Sequence, residues 1–350
     1  MASAWMVRSG KGGARVDEFI SHRVVAIGWS EIESDLTGMT QEAIYDLLVT
    51  VFPNYHPSAA ANAASMLYRL TTLIAEGDTV ITYDSERRIY HIGTVTGPYR
   101  YQPQLIDGLP HTRAVAWDRE VSRDVLASAT RNTLGSTLTL FRVLEEPLAD
   151  LLRENRNLPV RPEAAPVNET SNLESVDDTA ERSVELIKDM VMALEPEEMQ
   201  ELLASLLRAM GYKARVSPKG PDRGVDVVAS RDGLGLEAPR IKAEVKHRSQ
   251  TQMDAPEIRN FIATLRPGDS GLYLSTGGFT REARYEAERA NVSVTLIAAD
   301  DLVKHITDNY ARFDDRGRAL VPLVPVWWPA KEQLQTGGAE PMARQSASRL

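Results

Sequence analysis

The 350-residue chain contains no cysteine, which excludes disulfides, thiol nucleophiles and zinc centres built on thiolates. It also lacks any apolar run near the ~20 residues that a membrane-spanning helix needs, and Met1 to Arg8 contains no basic segment leading into an apolar core. A cytoplasmic protein with no membrane partner is the expectation. Basic charge is in deficit, with 40 Lys and Arg against 49 Asp and Glu and a formal charge of -9. That balance excludes a uniformly cationic surface, so any phosphate contact has to come from a local patch. Aromatic residues make up only 6%. What remains is ordinary for soluble globular chains, 43% hydrophobic and 25% charged, with length enough for two cores.

The most informative stretch runs from Gly220 to Arg248. Asp226 sits among Val225, Val227 and Val228, Arg231-Asp232-Gly233 supplies turn chemistry, and Ile241 to Lys246 follows as a second strand. Side chains two apart on a strand share a face, so Glu244 and Lys246 lie side by side while Val245 turns away. Asp226 joins them from the neighbouring strand. Two readings are open: surface carboxylates with a lysine partner, or a metal centre in which a divalent cation relieves the repulsion between Asp226 and Glu244. Oxygen donors, with the Val245 carbonyl as a third, favour Mg2+ or Mn2+. Lys246 would then orient the attacking water and offset charge on a scissile phosphate.

These residues resemble the Mrr-type restriction endonucleases of the PD-(D/E)XK nuclease superfamily. Gly220-Pro221-Asp222-Arg223-Gly224-Val225-Asp226 is similar to the first acidic motif and Glu244-Val245-Lys246 to the second. Glu198 to Ala204 and Leu207 to Tyr212 resemble the opening helix and its exit, and Gly271 to Thr280 a later strand and helix start. The resemblance implies an α/β PD-(D/E)XK core, a mixed sheet flanked by helices, with Asp226, Glu244 and Lys246 catalytic, and a magnesium-dependent endodeoxyribonuclease acting in defence against foreign DNA. One position departs: many relatives place a glutamate where this chain has Gln200, a supporting residue that can ligate or hold water but brings no charge. Glu198 or Glu201 would substitute only if the helix phase turned it inward.

Residues 1–144 read as a separate α+β domain: six short strand candidates and two helices, Gln41 to Val51 and Ser58 to Ala75, arranged as a small barrel. Ala4-Trp5-Met6-Val7-Arg8, Val25-Ala26-Ile27-Gly28-Trp29, Gly77-Asp78-Thr79-Val80 and Tyr90-His91-Ile92-Gly93 resemble the EVE-like group of the PUA superfamily. This implies a domain that takes up a nucleobase, often a modified one, between aromatic rings. Trp29, Tyr83, Tyr99 and Trp117 are the candidates, with barrel core as the competing reading for each. Gly10-Lys11-Gly12-Gly13 lacks Walker spacing and reads as a glycine turn. No histidine pair has metal-ligand spacing.

Residues 145–182, acidic then rich in Pro, Ala and Asn, read as a flexible linker. Residues 183–310 carry the nuclease pattern, helix, three strands, helix, strand, and then a further helix, strand and helix. Residues 311–350 hold an apolar prolyl segment, Leu320 to Pro329, expected to pack back on the nuclease or on a second subunit, and a tail without order after about Lys331. Lys242, Lys246, His247 and Arg248, with Arg281, Arg284 and Arg289, offer a local basic surface. Arg248, Gly278 and Thr280 are the candidate DNA-phosphate contacts, Thr280 also reading as a helix cap. The expected partner is double-stranded DNA, with base-modified DNA as the case the first domain would read. Cutting both strands needs a homodimer or a dimer formed on DNA. Two rivals stand: a weakly catalytic module that binds modified DNA, and a nuclease acting on RNA or single-stranded DNA.

Overall fold

Every residue of β1(Ala4–Val7) is buried because the strand lies between two apolar layers. Trp5 and Val7 enter one core and Ala4 and Met6 the other, as the two-residue strand period requires. In this computed structural model, residues 2–136, 138–153, 176–218, 225–248 and 251–326 are described. After β1 come α1(Val16–His22), β2(Val24–Ile27), α2(Gln41–Val51), α3(Pro57–Tyr68), β3(Thr79–Asp84), β4(Ile89–Tyr101), β5(His111–Ser122), α4(Ser128–Leu134), β6(Leu140–Val143) and α5(Glu145–Leu152). The sheet order is β2-β5-β4-β3-β1-β6, with β1 and β3 parallel and the other pairs antiparallel. Helices α2 and α3 cover one face through Ile44, Leu48, Ala64 and Leu67, while Leu126, Leu134 and Leu151 cover the other.

Three expectations for this half are corrected. The sheet has two ends, β2 and β6, and no pairing closes it among the described residues, so the small barrel is an open, two-faced sheet. Pairing the last strand beside β1 instead of β2 leaves the hydrogen-bonding edges apart. The second helix stops at Tyr68 and passes into a π turn, Arg69–Leu73, because buried Arg113 donates to the carbonyls of Leu70 and Thr71 at 2.6 and 3.0 Å. The chain after Glu145 is also helical, as far as Leu152. Leu151 of α5 is fully buried, and Asp150 accepts from the Ala127 amide at 2.9 Å.

The second half runs α6(Val176–Met192), α7(Pro196–Ala209), β7(Lys213–Val216), β8(Val227–Ser230), β9(Arg240–Lys246), α8(Ala255–Ile262), β10(Asp269–Ser275), α9(Arg281–Glu288), β11(Val294–Ile297), α10(Ala299–Asn309) and α11(Asp315–Leu320). Its sheet is mixed, in the order β11-β10-β9-β8-β7: β9, β10 and β11 are parallel, while β7, β8 and β9 form antiparallel pairs. The expected mixed sheet flanked by helices is what forms. Helix α7 opens with Pro196 at its first turn and a capping box between Glu195 and Glu198, and buries Met199, Leu202, Leu203 and Leu206 against one sheet face. Helices α8 and α9 cover the other face around Phe261, Tyr273 and Phe279. Val321 is fully buried in the α7 core, and the Tyr310 hydroxyl donates to its carbonyl at 2.9 Å, so the prolyl segment is anchored at its start, while Val324 and Val326 further along are exposed. Residues 327–350, with Trp327, Trp328 and Lys331, lie outside the described residues, as do 154–175 and the motif residues 219–224. No described helix is long and apolar enough to cross a membrane.

Helix α6 belongs to both halves. Ile187 and Val191 are buried in the α7 core, whereas Glu181, Glu185, Lys188 and Asp189, spaced as one helical face, turn to the first half. There Arg8 meets Glu181 at 3.2 Å, Arg123 forks onto Asp189 at 3.0 and 2.9 Å, and Arg88 also reaches Asp189. Lys188 donates to the Ser85 carbonyl at 3.3 Å and pairs with Glu185 and with Asp300 at the start of α10.

Candidate active site

Asp226 stands one residue before β8, which runs antiparallel to β9 with Val227 opposite Ala243. Beyond that pair the Asp226 amide donates to the Ala243 carbonyl at 2.8 Å, and its carboxylate lies close enough to Glu244 to act on it. The Asp226 carboxylate is held on both oxygens: Gln200 Nε2 donates to Oδ1 at 2.9 Å and the Val245 amide to Oδ2 at 2.8 Å. Gln200 is thus the residue of the opening helix that arrives here. Glu198 is taken up in the cap of α7, and Glu201 pairs with Arg208 at 2.6 Å, so neither substitutes for it.

Glu244 is buried beside this pair. Burial pushes its carboxyl above the ordinary range; Lys246 draws it back and the nearby Asp226 pushes it further up, and the upward effects win. Lys246 Nζ lies 2.6 Å from Glu244 Oε1. Two carboxylates and the Val245 carbonyl, all hard oxygen donors, fit a Mg2+ or Mn2+ ion that keeps several waters. Among the described residues no group of three or more His, Asp or Glu side chains is arranged to hold a metal, so the protein's share there would be sparse.

The surrounding candidates separate. Arg248 is exposed, Gly278 holds a left-handed conformation at φ 78°, and the Thr280 hydroxyl accepts from the Ala283 amide at 3.2 Å as the cap of α9. Lys242 is engaged by Asp269 at 2.8 Å, Arg284 lies 3.5 Å from Glu86 of the first half, and Arg289 lies over the Tyr285 ring. A shared basic surface is therefore not assembled from these three. Sequence reasoning missed the groups that β10 brings in: Tyr273 is the register partner of Glu244, and Ser275 that of Lys246. Only the parallel pairing places them, and no local pattern announces it.

In the first half, Trp29, Tyr99 and Trp117 pack on one apolar cluster while Tyr83 packs on the other. The Tyr99 hydroxyl lies 2.8 Å from His111 Nδ1, and burial lowers His111 to about 4. Trp29 is half-buried with a left-handed φ of 64°, a strained conformation for a bulky residue. Trp117 donates its indole N–H to the Phe19 carbonyl at 3.1 Å. Tyr83 instead donates to Glu185 of α6 at 3.0 Å, so it does not share a pocket with the other three.

Residues 191–306 match a family model described as a restriction endonuclease (Mrr_cat), and residues 5–143 match a domain of unknown function, DUF8426. The segment similar to the restriction endonuclease family runs from the end of α6 into α10. No curated protein matches the chain. Among solved structures, the MspJI restriction endonuclease in complex with a 27-mer oligonucleotide is 13% identical over 90% of this chain and 77% of that one, with a TM-score of 0.32. The DNA modification-dependent restriction endonuclease AspBHI is 14% identical over 85% and 79%, also at 0.32. A protein of unknown function, AF1548, is 19% identical over 31% of this chain and 66% of its own, at 0.26.

Proposed function

We propose that the protein is a metal-dependent endonuclease that hydrolyses phosphodiester bonds in duplex DNA, that it acts in restriction of foreign DNA in the cytoplasm, and that base-modified DNA is its substrate. The observation that carries this reading is the convergence of Asp226, Glu244 and Lys246 at one end of a mixed sheet, inside the segment that matches a restriction endonuclease family. A divalent cation bound there would polarise the phosphate and lower the pKa of a bound water. The chain's own residues do the rest. Asp226 and Glu244 present their oxygens close together, with Asp226 fixed by Gln200 and the Val245 amide. Lys246 offers a cation beside them to orient the water and oppose charge on the phosphate. Gln200 adds a donor without charge, which favours a single cation over two.

A base-reading role for residues 1–144 would use Trp29, Tyr99 and Trp117, since stacking on such rings is worth about 1–3 kcal/mol per base. The connection between α5 and α6 then joins reader to nuclease. Cleavage of both strands would use a dimer formed on DNA.

The test is cleavage of matched unmodified, methylated and hydroxymethylated plasmids with Mg2+, with and without chelator. Lys246→Ala is expected to lower the rate on the order of 10²-fold or more. Cutting that persists in chelator or in Lys246→Ala removes this chemistry. Binding of modified DNA without any cutting turns the reading toward a recognition module, and a preference for single strands or RNA changes the substrate.

A further inference from the structure

Among the described residues from 176 onward, the buried side-chain polar atoms without a hydrogen-bond partner are His247 Nδ1, Ser275 Oγ and Thr276 Oγ1. All three border Lys246. His247 follows it in the chain, Ser275 is its register partner on β10, and the Thr276 amide donates to its carbonyl at 3.1 Å. An unpaired buried polar group costs free energy, so each one calls for an account.

Ser275 is the one whose geometry identifies its use. It is completely buried. Because β9 and β10 run parallel in register, Glu244, Lys246, Tyr273 and Ser275 share one sheet face. Adjacent strands are about 4.8 Å apart, a span that a lysine side chain covers when laid across the sheet. This end of β10 is also closed over. A Cβ at Gly277 would collide with the carbonyl oxygens of Arg248 and Thr251, so the β9–α8 connection lies directly on the β10–α9 turn. At present Lys246 is paired with Glu244, and that pairing occupies a carboxylate that the proposed reaction needs for its cation.

We propose that Ser275 is a positioning residue for Lys246: when Glu244 turns to a divalent cation, the Lys246 ammonium donates instead to Ser275 Oγ and stays fixed beside the reacting phosphate. The inference rests on the nuclease reading. It gives the unpaired hydroxyl a partner in the working state and gives the lysine one in both states.

The whole chain, with 15N-labelled lysine, tests it. The ammonium correlation of Lys246, identified by its loss in Lys246→Ala, is expected to persist on adding Mg2+ to the wild type and to vanish with Mg2+ in Ser275→Ala. For plasmid cleavage, Ser275→Ala is expected to lower kcat about tenfold with KM unchanged, in the range typical for residues that orient a metal centre. Its thermal midpoint should be unchanged or higher. Thr82→Val removes another buried, unpartnered hydroxyl, in the first half, and should leave both the lysine signal and kcat as they are. A correlation that survives Mg2+ in Ser275→Ala, or an unchanged kcat, overturns the proposal. A wild type that cleaves nothing removes the nuclease reading, while the lysine signal still decides the role of Ser275.

Discussion

At the seam between the two halves, Arg88 and Arg123 are only 1% and 2% exposed, yet each meets anions: Arg88 pairs with Asp124, Glu185 and Asp189, and Arg123 with Glu185 and Asp189. At the end of the second sheet, Asp226 acts on the nearby Glu244, and Lys246 pairs with Glu244 at 2.6 Å. The half-buried carboxylate of Asp189 and the buried one of Glu244 are moved in opposite directions. Burial acts upward on both, but around Asp189 the hydrogen bonds from Arg123 and Arg88 outweigh it and hold the carboxyl below its usual range, whereas around Glu244 burial and Asp226 prevail. Charge that is saturated by partners holds a structure together. Charge left partly uncompensated is the pattern of a candidate functional site.

The largest effect that could break this comparison is expected at Asp189. Asp189→Ala takes the shared anion from two buried guanidinium groups, and removing one partner of a buried pair typically costs about 3–5 kcal/mol. Because the folded carboxyl lies below its unfolded value of about 3.9, its contribution is present above that pH and fades as pH falls through the folded value. Urea unfolding at pH 7 should therefore separate wild type and variant widely, and the gap should narrow below about pH 4. Equal stabilities at pH 7 would mean that the seam is not held by this pairing.

A smaller effect of opposite sign is expected at Glu244. Glu244→Gln removes a charge that its surroundings oppose, so the metal-free variant should be more stable at pH 8 by about 0.5–2 kcal/mol, as when a strained functional group is relaxed. Cleavage should be lost. A destabilisation like that of Asp189→Ala would place both clusters among structural ion pairs and dissolve the contrast.

How much of this could be read beforehand depends on the range of the interaction. The hairpin carrying Asp226, Glu244 and Lys246 was legible because turn residues and a period of two are local signals. The helix capped at Thr280 was legible for the same reason. Ser275 beside Lys246 was not, since a parallel register between β9 and β10 is fixed by α8 and the cores around it. Glu181, Glu185 and Lys188 follow a spacing that, in isolation, describes a solvated helix face, and only the arrival of Arg8 and Ser85 from the other half gives it a partner. Tyr83 was an aromatic among aromatics until Glu185 took its hydroxyl. The acidic start of α5 concealed Leu151, one buried side chain that ties the helix to the first core. The order of strands around β6, which decides between barrel and open sheet, has no local signal at all.

The smallest effect expected sharpens the comparison from outside it. Arg259 of α8 and Glu286 of α9 form an ion pair at 3.0 Å, with the arginine 55% exposed. By distance alone it resembles the Arg123–Asp189 contact, at 2.9 Å. Water screens one and is excluded from the other, and exposed pairs contribute only about 0–1 kcal/mol. Arg259→Ala should thus cost under ~1 kcal/mol, and raising the salt concentration should erase even that, while the cost of Asp189→Ala should survive the same salt. If both losses fell together with salt, the seam would be a solvated contact and its charges would not distinguish it from the surface. If only the Arg259 loss fell, burial, not bond length, would be what makes the charges at the seam structural.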